Sequence, residues 1–292
     1  MPLSVVAWKL DVDLKGLTSF KIGGRAPFFL SAGDSGGLRS ALRDCQGDCY
    51  FLGGGSNLLV ADSRLKKPVL TLGEAFSYIK PAKDGSLEVG AATRLCELTA
   101  YCCKNGLAGL EGLAGIPACV GGLLAMNAAG FGSQISDQLV KLAALDKAGR
   151  ETVLNKADIK WGYRYCSAAS CFITKVWFKF LPDAGVKEKT AETLRKRVAA
   201  QDYDFPSCGC VFKNPPADSA GQACLPAGRL IDACGLKGIK RGGAMISNKH
   251  ANFIVNTGNA SYDDVDYLIS LAKEKVAVKF SVELEEEIKR WT

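Results

Sequence analysis

Glycine concentrates at three places in this chain, with short apolar runs beside it. The first is Lys21-Ile22-Gly23-Gly24-Arg25. The second is Gly53-Gly54-Gly55-Ser56-Asn57, entered from Phe51-Leu52 and left through Leu58-Leu59-Val60. The third runs from Gly109 to Gly122 as GLEGLAGIPACVGG and continues over residues 123–132 as LLAMNAAGFG. Glycine reaches positive φ and lets a ligand approach the backbone. An apolar run, a glycine turn and a second apolar run read as strand, turn, strand. Consecutive glycines can aim several N–H groups at one anion. Gly53, Gly54 and Gly55 therefore suit a pyrophosphate, with Ser56 and Asn57 as further donors. One such cluster alone is more simply a tight hairpin turn. A second long cluster beside apolar segments tips the reading towards a dinucleotide. No G-x-G-x-x-G follows a strand, and no G-x-x-x-x-G-K-[ST] occurs. Neither a doubly wound dinucleotide fold nor a nucleotide triphosphatase is supported.

Further strands are expected at Phe28 to Leu30, Val69 to Leu72, Leu87 to Val89 and Phe172 to Phe180, several of them β-branched or aromatic. Ser261 with Asp264 three residues on starts a helix. Val265, Leu268, Ile269, Ala272 and Val276 then give it one apolar face. A second helix is expected over residues 187–201, with Leu194 and Val198 inward, stopping before Pro206. Pro182-Asp183-Ala184-Gly185 reads as a boundary between lobes. At 292 residues the chain is long enough for two or three packed lobes.

The carboxy-terminal part carries Ser207-Cys208-Gly209-Cys210-Val211-Phe212-Lys213-Asn214-Pro215. A thiol is a workable proton donor near neutral pH, since a free cysteine titrates at about 8.5. Lys213 and Asn214 can hold an anionic or polar substrate nearby. Taken alone, the stretch also reads as a turn entering an edge strand with a buried Cys210. Twelve cysteines are present, with no CxxC pair and a single histidine, so a zinc site is not expected. The amino terminus lacks a basic n-region and meets Asp11 and Asp13 early, unlike a secretory signal. Reduced thiols in the cytosol are the expectation. No apolar run reaches the roughly 18 residues of a membrane span. The net charge of +7 is spread along the chain without a basic-aromatic stripe, which argues against nucleic acid and is compatible with phosphorylated small molecules. The residues themselves lead to a cofactor enzyme with a nucleotide site of another kind, and a second lobe bearing a thiol, a lysine, one histidine and terminal carboxylates.

An ordered set of motifs goes further. It comprises TSFKIGG at 18–24, LGGGSNLLV, GLEGLAGIPACVGG with MNAAGFG, Gly162-Tyr163-Arg164, GCVFKNP, AGRLID at 227–232, SNKHANF at 247–253 and Leu284-Glu285-Glu286-Glu287. The set closely resembles the UDP-N-acetylenolpyruvoylglucosamine reductase family over nearly the whole chain. The short spacing from Arg164 to Cys210 resembles the branch without a tyrosine-bearing insertion. The resemblance implies an α+β fold. A two-lobe FAD-binding domain of the vanillyl-alcohol-oxidase/PCMH type would occupy 1–78 and 79–183. A smaller α+β substrate-binding domain would occupy 184–292. It implies non-covalent FAD held by Gly53, Gly54, Gly55, Ser56, Asn57, Gly115, Ile116, Pro117, Gly121, Gly122 and Asn127. NADPH would supply hydride, which passes by way of FAD to the enolpyruvyl methylene carbon of a UDP-sugar. Arg164 would hold the substrate carboxylate or its developing enolate, Cys210 would donate the proton, and Glu287 would assist. Tyr163, Lys213, Asn214, His250 and Asn252 would contact substrate. The implied protein is a cytoplasmic monomer with no metal, nucleic-acid or membrane partner.

Some residues depart from the family pattern. Cys210 stands where many members carry serine, and a thiol is the more acidic donor. Ala118 replaces a glycine after Ile116-Pro117, which raises the expectation of a lost left-handed position. Glu283, Glu285 and Glu287 alternate, so on an extended segment they share a face and would raise one another's proton affinity. Two rival functions remain at this level. One is a flavin oxidase of the same fold family acting on an alcohol or sugar, recognised by oxygen reactivity. The other is a non-enzymatic nucleotide-binding protein, which would purify colourless.

Overall fold

The structure is a computed structural model and describes residues 7–216 and 225–292. The first six residues, on which the amino-terminal reading partly rests, and Cys224 lie outside the described residues. Contacts gather the chain into two units. The first is built from Pro27–Gly54 and Lys67–Arg197 with the residues up to Val12. The second is built from Asp13–Ala26, Gly55–Lys66 and Val198–Thr292. The sequence suggested three consecutive lobes. Among the described residues there are three hydrophobic cores, two in the first unit and one in the second.

The smaller core of the first unit lies on a sheet ordered Lys9–Asp13, Arg25–Ala32, Val69–Leu72, Tyr50–Leu52. The last three strands pair in parallel, with Phe29 opposite Val69 and Tyr50 opposite Val69. Parallel neighbours need a crossover, and the helix Ser35–Asp44 supplies one. Asp34 caps it by accepting from Gly37 N at 2.7 Å, and Leu38, Ala41 and Leu42 form its buried face. The larger core lies on an antiparallel sheet ordered Glu151–Asn155, Leu139–Leu145, Phe172–Phe178, Leu87–Gly90, Ile79–Pro81. Phe172–Phe178 is its central strand, which explains a mostly buried run without clean alternation.

The helix expected over 187–201 is present as Val186–Ala200, but with a different inner face. It buries Val186, Thr190, Thr193 and Arg197, while Leu194 and Val198 are exposed. Apolar character alone picked the wrong stripe, because the inward positions include two threonines and an arginine with polar partners.

In the second unit an antiparallel sheet runs Ser207–Cys210, Phe253–Asn256, Ala244–Ile246, Lys240–Arg241. The helix Tyr262–Phe280 packs on it through Val265, Leu268, Ile269, Ala272 and Val276, the face expected from their spacing. Ser261 and Asp264 form the reciprocal cap, each backbone N–H donating to the other's side chain at 3.1 Å, a feature worth about 1 kcal/mol. Two early segments join this unit for identifiable reasons. Leu58–Val60 pairs in parallel with Lys289–Trp291. The TSFKIGG loop buries Phe20 and Ile22 in the core, and Asn256 Nδ2 donates to Phe20 O at 3.1 Å.

This pairing also excludes a hairpin at the second glycine cluster. Tyr50–Leu52 and Leu58–Val60 do not pair with each other but enter different sheets. No helix among the described residues is long and apolar enough to cross a membrane.

Candidate active site

In the first unit, Tyr50–Leu52 delivers Gly53 and Gly54 to the turn at 117–122. A Cβ on Gly54 would lie 3.3 Å from Ala118 Cα and Cys119 N and 3.4 Å from Pro117 O. A Cβ on Gly53 would meet only Gly122 Cα, at 3.9 Å, and one on Gly122 would meet nothing within 4 Å. Two clusters more than sixty residues apart in sequence are thus neighbours with room beside them. Leu95 N donates to Ala118 O at 2.9 Å, Val120 N to Thr93 O at 3.0 Å and Gly121 N to Ala91 O at 2.9 Å, pinning the turn. Ala118 is absent from the residues of positive φ, so the expected loss of a left-handed glycine does not arise. Gly115 does need one, at φ +87°, and Ile116 follows it half-buried.

Arg197 holds this loop from behind. It is buried, with Nε donating to Ala114 O and Nη2 to Gly112 O, both at 2.7 Å. Its guanidinium lies 5.0 Å from the Phe131 ring centroid. Sequence reasoning missed it, because an arginine in a charged helix reads as a solvated face.

Asn127 takes φ +43° and is buried. Its Nδ2 donates to Gly162 O at 2.9 Å, while its Oδ1 is buried without a hydrogen-bond partner. Gly162 begins a two-residue turn, Trp161–Gly162 pairing antiparallel with Tyr165–Cys166, that presents Tyr163 and Arg164 at its tip. Arg164 sits at φ +54° with its guanidinium 5.0 Å from the ring centroid of exposed Tyr163. A left-handed non-glycine residue costs about 1 kcal/mol, and such strain clusters at working positions.

The rest of the Gly-Gly-Gly-Ser-Asn motif belongs to the second unit. Gly55 is buried at φ +66°, and a Cβ there would stand 2.2 Å from Leu17 O. Close backbone packing therefore requires glycine here. Asn57 Nδ2 donates to Glu287 O at 3.2 Å, and its carbonyl accepts from Lys289 N at 3.0 Å. Ser56 stands half-buried between the two.

Cys210 lies at the end of Ser207–Cys210, beside an irregularity in the ladder. Ser207 faces Val255 and Cys210 faces Phe253, so one extra residue is accommodated, with Gly209 at φ +79°. A bulge of this kind re-aims the next side chain. The following two residues lie beside the terminal segment. Glu287 N donates to Val211 O and Lys213 N to Glu285 O, both at 2.8 Å, and Phe212 bridges Glu286. Cys210 and Glu287 therefore flank the same short stretch of chain. Burial pushes the Cys208 thiol up to about 12. Cys208 is the inert thiol of the pair, and Cys210 is the half-buried one.

The terminal carboxylates Glu285 and Glu286 meet basic partners. Glu285 is exposed and bound by Lys213 Nζ. Against the penalty of burial, hydrogen bonds from Arg290 and Lys273 hold the Glu286 carboxyl below its ordinary range. Arg290 continues to Asp266 at 2.5 Å, a network that anchors the segment around Glu287.

Asn214 Oδ1 accepts from Ala227 N at 3.1 Å and so caps the helix Ala227–Ala233. Asn252 is buried, and both ends of its carboxamide are engaged by Phe212: Oδ1 accepts from Phe212 N at 2.9 Å and Nδ2 donates to Phe212 O at 2.8 Å. These two bonds give Asn252 a structural role. His250 packs on Phe253 at 4.8 Å between centroids, and its Nδ1 is buried without a partner. Burial, with Lys237 nearby, lowers its proton affinity, so the imidazole is neutral at neutral pH.

The family description "FAD binding domain" matches residues 28–155, and "UDP-N-acetylenolpyruvoylglucosamine reductase, C-terminal domain" matches residues 201–291. A UDP-N-acetylenolpyruvoylglucosamine reductase of Desulforamulus reducens is 37% identical over 288 residues, spanning 96% of this chain and 92% of the relative. One of Thermotoga petrophila is 38% identical over 280 residues, spanning 94% and 95%. The crystal structure of the reductase of that name from Thermus caldophilus matches with a TM-score of 0.84 at 33% identity, covering 98% of this chain and all of the other.

Proposed function

The chain belongs to the UDP-N-acetylenolpyruvoylglucosamine reductase family, and we propose that it carries out the family's reaction with Arg164, Cys210 and Glu287 as its working groups. That reaction is the NADPH-dependent reduction of the enolpyruvyl ether of UDP-N-acetylglucosamine to UDP-N-acetylmuramate, a step of peptidoglycan precursor synthesis. The two cores of the first unit are read as the flavin-binding lobes and the core of the second as the substrate lobe. Gly53, Gly54, Gly115, Ile116, Pro117, Gly121, Gly122 and Asn127 would hold FAD. The open space at Gly53 and Gly122 and the unpartnered, buried Asn127 Oδ1 fit such a group. When bound, FAD supplies hydride transfer from NADPH to the substrate.

The chain's own residues manage charge and protons. Reduction at the methylene carbon places negative charge on the neighbouring carbon and its carboxylate. Arg164, on its strained turn, holds that carboxylate as charge develops. Cys210 gives its proton to the carbanionic carbon, and Glu287 assists at the enolate. Lys213, Asn214, His250 and Tyr163 are proposed to line the UDP-sugar. Asn57, Gly55 and Asn252 support the site through the contacts above. The observation that carries this reading is the joint placement of Cys210 and Glu287 along Val211 and Phe212. The test is spectroscopic: the flavin absorbance should bleach with NADPH and return on adding the enolpyruvyl substrate without oxygen. Return with oxygen but not with substrate would make the protein an oxidase.

Glu287→Gln should preserve bleaching by NADPH and slow the return of absorbance with substrate, measured by stopped flow. A wild-type return removes Glu287 from the mechanism.

FAD should be held without a covalent bond. The single histidine belongs to the second unit, and burial pushes the Cys119 thiol above its ordinary value, disfavouring the thiolate a tether needs. Acid precipitation should release yellow flavin to the supernatant, whereas colour fixed in the washed pellet would show a tether. The described cysteines are all free thiols, which supports a reducing cytoplasm as the place of work. A monomer is proposed, and light scattering tests it.

A further inference from the structure

We propose that Asn252 is a positioning residue for the protonation step, acting as a strand-mimicking clamp that holds Val211 and Phe212 so that Cys210 and Glu287 keep their aim. The proposal rests on the reading of Cys210 as proton donor.

Phe253–Asn256 pairs with Ser207–Cys210 only as far as Cys210 opposite Phe253. One further backbone bond follows, Val211 N to Asn252 O at 2.8 Å. The chain then turns away, with Phe253 N donating to His250 O at 2.9 Å. Phe212 would have no backbone partner on that side. The Asn252 carboxamide supplies both missing bonds, accepting from Phe212 N at 2.9 Å and donating to Phe212 O at 2.8 Å. A carboxamide carries the donor and acceptor of a peptide group, so one side chain extends the ladder by one residue. On the opposite side the terminal segment holds the same stretch through Glu287 N to Val211 O and Lys213 N to Glu285 O. The clamp thus lies directly after the bulge that aims Cys210, on the stretch to which the backbone of Glu287 is bonded. Asn252 is only 3% exposed with both ends engaged, so its carboxamide is not offered to substrate.

The test uses the flavin-loaded protein and a cycle of Asn252→Leu with Cys210→Ala. Asn252→Leu should slow flavin reoxidation by saturating substrate about tenfold or more, since misplacing a proton donor costs rate at the chemical step. Reduction by NADPH should stay within about twofold of wild type, as should the substrate KM, because neither uses the donor. The solvent isotope effect on reoxidation should rise as proton delivery becomes slower. In the Cys210→Ala background the same substitution should cost less than about threefold, because residues acting as a unit are not additive. Asn252→Asp, which keeps the acceptor for Phe212 N and loses the donor, should show the same pattern more weakly and replaces the leucine variant if that one does not fold. An undiminished effect in the Cys210→Ala background overturns the proposal, as does a raised KM at unchanged kcat, which would mark a substrate contact. Wild-type reoxidation in Cys210→Ala alone overturns the donor assignment instead.

Discussion

Replacing Cys210 by alanine lowers turnover by about 10²- to 10⁴-fold, the usual contribution of a positioned acid, while NADPH still bleaches the flavin at near wild-type speed. The split follows from where the thiol is needed. Hydride capture from NADPH requires no protein proton, whereas the carbanionic carbon of the substrate does. Cys208 cannot take over, since it is enclosed in the hydrophobic core of the second unit. Cys210→Ser keeps a donor of similar size and should retain substantial turnover. Stopped-flow traces of the two half-reactions separate the outcomes. Wild-type turnover in Cys210→Ala would make Cys210 a structural thiol, with the proton coming from Glu287 or from water.

The sequence was most informative where one physical signal dominated. The carboxy-terminal helix was fully legible, cap and buried face alike, because Ser261, Asp264 and five apolar residues all agree. The other long helix was legible in extent but not in orientation, since Arg197 and Thr190 are buried for polar reasons that hydropathy does not register. The Gly-Gly-Gly motif was visible as a special turn. Its division was not: Gly54 faces the residues 117–119, and Gly55 packs on Leu17, a distinction that depends on residues distant in sequence. The same holds for Asn252 and Asn57. Each carries a type that suits substrate or phosphate, and each bonds backbone that only the folded chain brings near, Asn57 through Nδ2 and Asn252 through both ends of its carboxamide. Arg290 and Lys273 gave no signal, because ion pairing around Glu286 needs the helix Tyr262–Phe280 laid beside the terminal segment.

Gly54→Val should purify without bound flavin while the second unit remains folded. Gly54 is exposed, so its lack of a side chain is not demanded by core packing, and its φ is not among the positive ones. What demands glycine is the approach of Ala118 Cα and Cys119 N at 3.3 Å and Pro117 O at 3.4 Å from the position of a Cβ. Those atoms are backbone of a turn fixed by Leu95, Val120 and Gly121, so they cannot swing aside as a flexible side chain would. Valine adds two methyl groups beyond a Cβ that is already tight, and the strain falls on the turn beside Gly53 and Gly122. That turn is the one assigned to the cofactor. Gly55→Val is the instructive contrast. There the Cβ would strike Leu17 O at 2.2 Å with φ at +66°, so the substitution damages the second unit directly and its loss of flavin would prove nothing about binding. For Gly54→Val, the ratio of flavin to protein absorbance should fall towards zero, while hydrogen exchange of the helix Tyr262–Phe280 matches wild type. Full occupancy in that variant would remove Gly53 and Gly54 from the cofactor site and leave residues 115–122 and Asn127 to hold FAD without them.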